Sequence, residues 1–118
     1  MDTVNMTAFT LGTWNVNSLK VRLPQVLDYM ANQAVDVLCL QETKLTDDAF
    51  PEQEFLDAGL YVSFTGQKTY NGVAIISRLP QTDVLKNLPH FEDDQQRLIS
   101  ATINGIRVVC AYMVNGQD

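Results

Sequence analysis

Cysteine, histidine and long apolar runs are scarce in this sequence, which has two Cys and one His among 118 residues. Cys39 and Cys110 each lie inside an apolar run with no second thiol or histidine nearby in sequence, so we interpret both as buried core residues. A redox or metal-binding pair is the alternative interpretation. No apolar stretch approaches the roughly 20 residues that cross a bilayer, and positions 1–5 lack a signal-peptide pattern. These absences argue against a membrane anchor and favour a reducing, cytoplasmic compartment.

Basic residues are fewer than acidic ones, since eight Lys and Arg against 14 Asp and Glu give a net charge of −6. This balance counts against a generic basic coat for nucleic acid. The charges are segregated, however, with acidic runs at 47–57 and 92–94. Four basic residues lie in or beside polar loops, where they can face a phosphate: Lys20, Arg22, Lys44 and Lys68. With 46% apolar and 19% charged residues, the chain can bury the core of one compact domain.

Hydrophobic periodicity predicts one main helix, one short helix and about seven strands. The main helix runs to Asn32, with a short turn at 19–23, a cleaner helix from Pro24, and Ser18 as its cap. The short helix covers 52–58 and is stopped by Gly59. The predicted strands are 9–16, 35–40, 60–65, 72–77, 82–86, 97–103 and 106–112, the last two joined by the turn Asn104-Gly105.

The first strand, the main helix and the second strand are joined by short links, which is the pattern of a βαβ unit with two parallel strands. The second strand is apolar almost throughout, so it needs cover on both faces. About two helices are available to supply this cover. The sequence therefore predicts an α/β fold in which the two predicted helices do not suffice to cover both faces of the sheet.

Polar residues follow the first two strands where each one ends. Asn15 closes the first strand and Glu42 follows the second, and parallel pairing places them side by side at one edge of the sheet. Carboxamide and carboxylate oxygens are hard ligands that suit Mg²⁺ or Mn²⁺. Two solvated loop residues are the alternative. Lys44 can contact a phosphate, or it can serve as the counter-charge of Glu42.

Further polar groups lie at the end of the last strand and in a central turn. The phenol of Tyr112 can hydrogen-bond a phosphate oxygen or act as an acid or base, and a half-buried tyrosine at the sheet rim is the alternative. Lys68, Tyr70 and Asn71 can contact a polyanion from their turn, although a turn of this composition needs no function.

Five segments are spread over most of the chain: residues 13–22 (TWNVNSLKVR), 36–44 (DVLCLQETK), 66–75 (GQKTYNGVAI), 93–97 (DDQQR) and 112–116 (YMVNG). The apolar strand followed by Gln-Glu-Thr-Lys is the most specific of them. In this order, the five segments resemble the exonuclease III family.

The resemblance implies that residues 1–118 are the N-terminal half of a four-layer α/β sandwich of the DNase I type, with a mixed sheet. It implies a phosphodiesterase that uses Mg²⁺ or Mn²⁺, cleaves duplex DNA at abasic sites and removes nucleotides from 3′ ends in base-excision repair. Asn15 and Glu42 match the metal site, Tyr112 matches the active-site tyrosine, and Asn115 matches a residue near the scissile phosphate. The side chains that match positions near the DNA backbone are Lys20, Arg22, Lys44, Lys68, Tyr70, Asn71 and Arg97.

Members of this family are about twice as long, and an Asp-x-Asn segment and an Asp-His pair that activate the attacking water fall outside these 118 residues. We therefore expect poor or no catalysis by the chain alone, and an exposed inner sheet face through which copies associate. Two local departures from the family pattern are Val114, where proline is usual, and Asn17, where some relatives carry an aspartate. The missing negative charge at Asn17 would weaken any second metal site.

Two other functions stay open from the sequence. One is a different phosphoesterase of the same superfamily, such as a nonspecific nuclease, a sugar-phosphate phosphatase or an inositol-phosphate phosphatase. The other is a non-catalytic half-domain that binds nucleic acid or protein.

Overall fold

In a computed structural model of the protein, residues 9–66, 72–86 and 98–112 are described. Every strand predicted from the sequence is present, with ends that differ by at most two residues, and a 3₁₀ turn at Asp47–Ala49 was not anticipated. None of the helices in these ranges is long and apolar enough to span a membrane. The elements are β1 Leu11–Asn15, α1 Leu19–Asn32, β2 Val37–Gln41, α2 Glu52–Asp57, β3 Tyr61–Thr65, β4 Val73–Ser77, β5 Gln81–Lys86, β6 Leu98–Ile103 and β7 Ile106–Ala111.

The first sheet is mixed and has the strand order β1-β2-β4-β3. β1 and β2 are parallel, with Leu11 opposite Val37 and Asn15 opposite Gln41, which confirms the parallel pair predicted from the βαβ pattern. β4 runs antiparallel to both β2 and β3. The carboxyl ends of β1 and β2 therefore lie at one edge of this sheet.

Helix α1 is continuous through Pro24, so the predicted break after 19–23 is wrong. Its first turn is fixed by tertiary contacts, because the Leu19 N–H donates to the Thr43 carbonyl at 3.0 Å. Burial of Leu19, Val26 and Met30 against the sheet offsets the hydrogen bond that proline cannot make. Ser18 occupies the N-cap position but makes no side-chain capping bond, and its φ is 106°.

The outer face of the first sheet is covered by both helices. Leu19, Val26 and Met30 of α1 and Phe55 of α2 belong to one buried cluster. On the strands, this cluster includes Leu38, Leu40, Ala74 and Ile76.

A second sheet covers the inner face, and this corrects the expectation that the inner face would be exposed. Strands β5, β6 and β7 form an antiparallel sheet, with a two-residue turn at Asn104 (φ 52°) and Gly105 (φ 77°). Its side chains pack on Val37, Val73 and Ile75, which are fully buried. The chain carries its own partner sheet, and the sequence pattern of its strands does not indicate which face of the first sheet they cover.

The uncovered surfaces among the described residues lie elsewhere. Leu11 of β1 is 54% exposed and Val109 of β7 is 56% exposed, and both are on edge strands. Leu85, on the outer face of the second sheet opposite Ser100, is also exposed. The described residues thus supply three layers, helices, sheet and sheet, of the four that the resemblance implies.

Candidate metal and phosphate site at the ends of strands β1 and β2

Asn15 and Glu42 are in direct contact. The Asn15 side chain donates a hydrogen bond from Nδ2 to Glu42 Oε2 at 3.0 Å. This contact confirms that the ends of the two parallel strands bring these side chains together. Asn15 orients the Glu42 carboxylate, since one carboxylate oxygen is held by a fixed amide donor.

Lys44 and Asn17 complete a network around this carboxylate. Lys44 Nζ donates to Asn17 Oδ1 at 2.6 Å and lies 3.9 Å from Glu42 Oε1. The Asn17 N–H donates to Asn15 Oδ1 at 3.1 Å. In this arrangement Lys44 is a counter-charge of Glu42, and its ammonium group lies where a positive charge is stabilised by the carboxylate. The neutral Asn17 provides the acceptor that holds it there.

Backbone hydrogen bonds fix the two loops that carry these side chains. The Val16 N–H donates to the Gln41 carbonyl at 3.0 Å, and the Ser18 N–H donates to the Glu42 carbonyl at 2.8 Å. The Thr43 N–H donates to the Gly72 carbonyl at 3.2 Å. These hydrogen bonds therefore join the two loops to each other and to Gly72, which precedes β4.

Four residues of these loops have left-handed backbone conformations although none of them is glycine. Their φ values are 47° at Asn17, 106° at Ser18, 57° at Glu42 and 60° at Lys44. Such conformations cost free energy and persist where the surrounding contacts determine them, often at functional sites. Here they turn the side chains of Glu42 and Lys44 toward the same network.

Two glycines allow the loop after β2 to pack closely. A Cβ at Gly72, whose φ is 93°, would lie 2.2 Å from Thr43 Oγ1, and a Cβ at Gly66 would lie 2.0 Å from the Leu45 carbonyl oxygen. Both distances are far below van der Waals contact. Thr43 and Leu45, which follow Glu42, therefore pack so closely against Gly72 and Gly66 that neither glycine position can accommodate a side chain.

The donor set fits a hard divalent cation at Glu42 with most ligands supplied by water or substrate. The Glu42 side chain is 21% exposed, so its carboxylate is accessible. The part of the chain that the structure describes contains no group of three or more His, Cys, Asp or Glu side chains that could hold a metal ion together. Mg²⁺ commonly binds through one or two carboxylates and keeps several waters. Direct ligation by Asn15 stays a prediction, since its Oδ1 already accepts the Asn17 N–H.

Strand β7 leads Tyr112 toward the same end of the molecule. Cys110 Sγ lies 3.3 Å from the Leu40 carbonyl near the carboxyl end of β2, and Tyr112 follows two residues later, packed against the core between the sheets. Gln41 connects the strands there, because its Nε2 donates to Thr13 Oγ1 at 2.7 Å. We did not predict a site role for Gln41 from the sequence, although the Gln-Glu-Thr-Lys motif contains it.

The remaining predicted DNA- and phosphate-contacting residues are either exposed on α1 or outside the described residues. Lys20 and Arg22 are exposed on the first turns of α1, and Lys20 borders an open depression of about 330 Å³ together with Leu23 and Leu45. Five predicted site residues lie outside the described ranges: Lys68, Tyr70, Asn71, Arg97 and Asn115.

The chain is similar in sequence and structure to three DNA-processing proteins. It is 32% identical over 111 residues to an exodeoxyribonuclease of Bacillus subtilis, covering 89% of this chain and 42% of that protein. A solved 3′ phosphatase from Neisseria bound to a product DNA hairpin matches with a TM-score of 0.88 and 50% identity, over 92% of this chain and 43% of the other.

An AP endonuclease from Archaeoglobus fulgidus matches with a TM-score of 0.84 and 41% identity, over 89% of this chain and 41% of the other. The mixed α/β fold thus corresponds to part of the AP endonuclease fold, and the chain spans about two fifths of the length of these relatives. Because the family profile matches residues 12–114, the protein belongs to the endonuclease/exonuclease/phosphatase family.

Proposed function

We propose that this chain is the metal- and phosphate-binding half of an exonuclease III-type DNA phosphodiesterase that acts at abasic sites and 3′ ends in base-excision repair. The observation that carries the proposal is the Glu42 carboxylate, held by Asn15 at 3.0 Å and faced by the Lys44 ammonium. A single oriented carboxylate beside a cationic side chain suits a site that binds a metal ion and a phosphate together. The similarity to an exodeoxyribonuclease and an AP endonuclease supports this proposal.

In this proposal, each residue of the candidate site has a separate role in binding the metal ion or the phosphate. Glu42 would hold Mg²⁺ or Mn²⁺, which supplies positive charge that stabilises the phosphate in the transition state of phosphoryl transfer. Asn15 keeps the carboxylate oriented. Lys44 neutralises Glu42 in the present arrangement. In the proposed complex with DNA, its ammonium group leaves Asn17 Oδ1 and contacts the phosphate. Tyr112, which follows β7, and Asn115 would hold the phosphate.

DNA contacts in this proposal are made mainly to the phosphate backbone. Lys20 and Arg22 are exposed on the helix that begins directly after the Asn15 loop. Lys68, Tyr70, Asn71 and Arg97, which lie outside the described residues, would supply the remaining contacts. Backbone contacts of this kind make affinity fall as the salt concentration rises.

The 118 residues by themselves are expected to hydrolyse DNA poorly or not at all. Hydrolysis needs a positioned and activated water in addition to a metal ion. His90 is the one histidine of the sequence, and the family resemblance locates the Asp-His pair outside these residues. The two cysteines are free thiols, consistent with the proposed reducing, cytoplasmic location.

A chimera tests the proposed activity directly. Residues 12–114 would replace the matching segment of the Bacillus subtilis exodeoxyribonuclease, and cleavage of duplex DNA with one abasic site would be measured. We expect Mg²⁺-dependent cleavage by the chimera and at least a 100-fold loss on Glu42→Gln, because that carboxylate is required for transition-state charge stabilisation. Glu52→Gln, an equal charge change on α2, should leave the rate unchanged.

A folded chimera that is inactive, while the parent enzyme is active in the same assay, would contradict the proposal.

A second candidate is 3′ phosphatase activity, which is favoured by the 50% identity to the Neisseria 3′ phosphatase. The same chimera would then release phosphate from a 3′-phosphorylated duplex and leave abasic sites uncut.

We also propose that copies of this chain associate through the open side formed by β1 and β7. The opposite side is closed, since Gln81 of β5 donates to the Tyr61 carbonyl of β3 at 3.3 Å and β5 carries a bulge and Lys86 at its edge. β1 has no charged residue or proline. An edge strand without such protection is a template for pairing with a second copy.

Edge charges test this association. Leu11→Lys and Val109→Lys are expected to lower the association constant at least tenfold in sedimentation velocity experiments over a concentration series, because lysine on an edge strand opposes strand pairing. Val21→Lys is the matched control, since Val21 is 62% exposed on α1. Added salt should strengthen the wild-type association by screening the repulsion between chains of charge −6. A wild-type chain that stays monomeric at the highest concentration would rule out this interface.

A further inference from the structure

Cys39 and Cys110 meet between the two sheets although they are far apart in sequence. Cys39 lies on β2 and Cys110 on β7, and both belong to the buried cluster between the sheets and line the same groove. Cys110 Sγ lies 3.3 Å from the Leu40 carbonyl and accepts a hydrogen bond from Gln41 Nε2 at 3.8 Å. Both thiols are free. The sequence-based reason for dismissing a thiol pair, the lack of a second cysteine nearby, therefore does not hold in the folded chain.

The thiol pair borders a groove that opens between the edge strands. The groove has a volume of about 310 Å³, and Leu11, Thr13 and Gln41 line it together with the two cysteines. The cysteines are buried, but Leu11 and Val109 at its rim are more than half exposed. A small molecule can therefore reach the thiols from the open side without separating the two sheets.

The two thiols are not equivalent. Cys110 Sγ donates a hydrogen bond to the Leu40 carbonyl at 3.3 Å, which favours the protonated thiol. Its neighbour Cys39 and burial raise the pKa of the Cys110 thiol further. Because the thiolate is the nucleophile in thiol chemistry, Cys39 is the attacking residue of the pair and the protonated Cys110 is the resolving residue.

We propose that Cys39 and Cys110 form an oxidisable thiol pair that a small disulfide such as glutathione disulfide converts into a bond between the two sheets. The Cys39 thiolate attacks one sulfur of the small disulfide, and the other half leaves as a thiolate that takes up a proton. Cys110 then loses its proton to solvent, and its sulfur attacks Cys39 and releases the second small thiol. The protein loses two electrons, and the small disulfide is reduced to two thiols.

The bond would fix the spacing of the two strands that carry the candidate site. Cys39 on β2 precedes Glu42 by three residues, and Cys110 on β7 precedes Tyr112 by two residues. A disulfide between β2 and β7 closes a long loop of chain, which is the case in which a cross-link restricts the unfolded state most. This inference is independent of the proposed nuclease function.

The test exposes the dilute, monomeric chain to glutathione disulfide and follows the intact mass after acid quenching. We expect the wild-type protein to lose two hydrogen atoms in mass and to gain about 5 °C or more in thermal midpoint, both reversed by dithiothreitol. Cys110→Ser should stop at a mixed disulfide with glutathione on Cys39. Cys39→Ser should react at least tenfold more slowly than Cys110→Ser.

Three results would overturn the proposal. The first is no reaction under native conditions while both thiols react in denaturant. The second is that Cys39→Ser and Cys110→Ser react with glutathione disulfide at the same rate and that this rate equals the rate of unfolding. The third is a disulfide that forms only between two copies of the chain.

Discussion

Replacing Glu42 by glutamine is expected to weaken Mn²⁺ binding to the chain at least tenfold. Glu42 offers an accessible carboxylate that is already oriented by the Asn15 amide. Glutamine keeps the size of the side chain but removes the negative charge that a divalent cation requires from its ligands. Electron paramagnetic resonance of free Mn²⁺, titrated with protein, measures the affinity directly and does not depend on catalysis.

A matched variant separates a metal site from a general effect of charge. Glu52→Gln on α2 removes one negative charge from an exposed acidic run and should leave Mn²⁺ affinity unchanged. Asn15→Ala removes the donor that orients Glu42, and loss of such an orienting partner typically weakens metal binding about tenfold or more. Equal affinities for the wild-type chain and Glu42→Gln would favour a non-catalytic binding module over a metal-dependent enzyme.

Gly72→Ala is expected to destabilise the chain by about 3 kcal/mol. Its φ of 93° is a left-handed conformation, which costs an L-residue roughly 1–2 kcal/mol. The new Cβ would also lie 2.2 Å from the oxygen of the buried Thr43 side chain, and such overpacking costs about 1–3 kcal/mol more. The thermal midpoint should fall by about 10 °C, and Mn²⁺ affinity should fall as well, because the displaced loop carries Glu42 and Lys44.

Gly105→Ala is the control for backbone strain without crowding. Gly105 has a φ of 77°, and nothing lies within 4 Å of a Cβ built there. This substitution should cost about 1 kcal/mol from its φ alone and leave Mn²⁺ affinity unchanged. If the two alanine variants have the same stability, the close approach of Gly72 to Thr43 is not what holds the loop.

Local patterns in the sequence were sufficient for the elements and for the central contact of the site. The alternation of apolar runs and turn residues predicted the strands, and Asn104-Gly105 predicted the turn between β6 and β7. The contact of Asn15 with Glu42 followed from parallel pairing, because this pairing brings both carboxyl ends to one edge. The same reasoning did not reach the bond from Lys44 to Asn17, which depends on left-handed conformations at both residues.

Long-range packing accounts for the expectations that were wrong. Pro24 was expected to break the helix, but burial of the residues around it outweighs one missing hydrogen bond. The inner sheet face was expected to be exposed, but β5, β6 and β7 cover it. Arg78 shows the same limit, since its guanidinium donates to the Val35 and Gln33 carbonyls near the end of α1, and no spacing in the sequence indicates this.

By itself, the sequence determined which segments are strands and helices and which two side chains meet at the ends of β1 and β2, because periodicity is a local property and the strand–helix–strand order fixes the parallel pairing. The tertiary structure decided which face each sheet covers, how Lys44 neutralises Glu42, and that Cys39 lies against Cys110. These contacts join residues from different elements, and their free energies depend on burial and geometry that exist only after the sheets have packed.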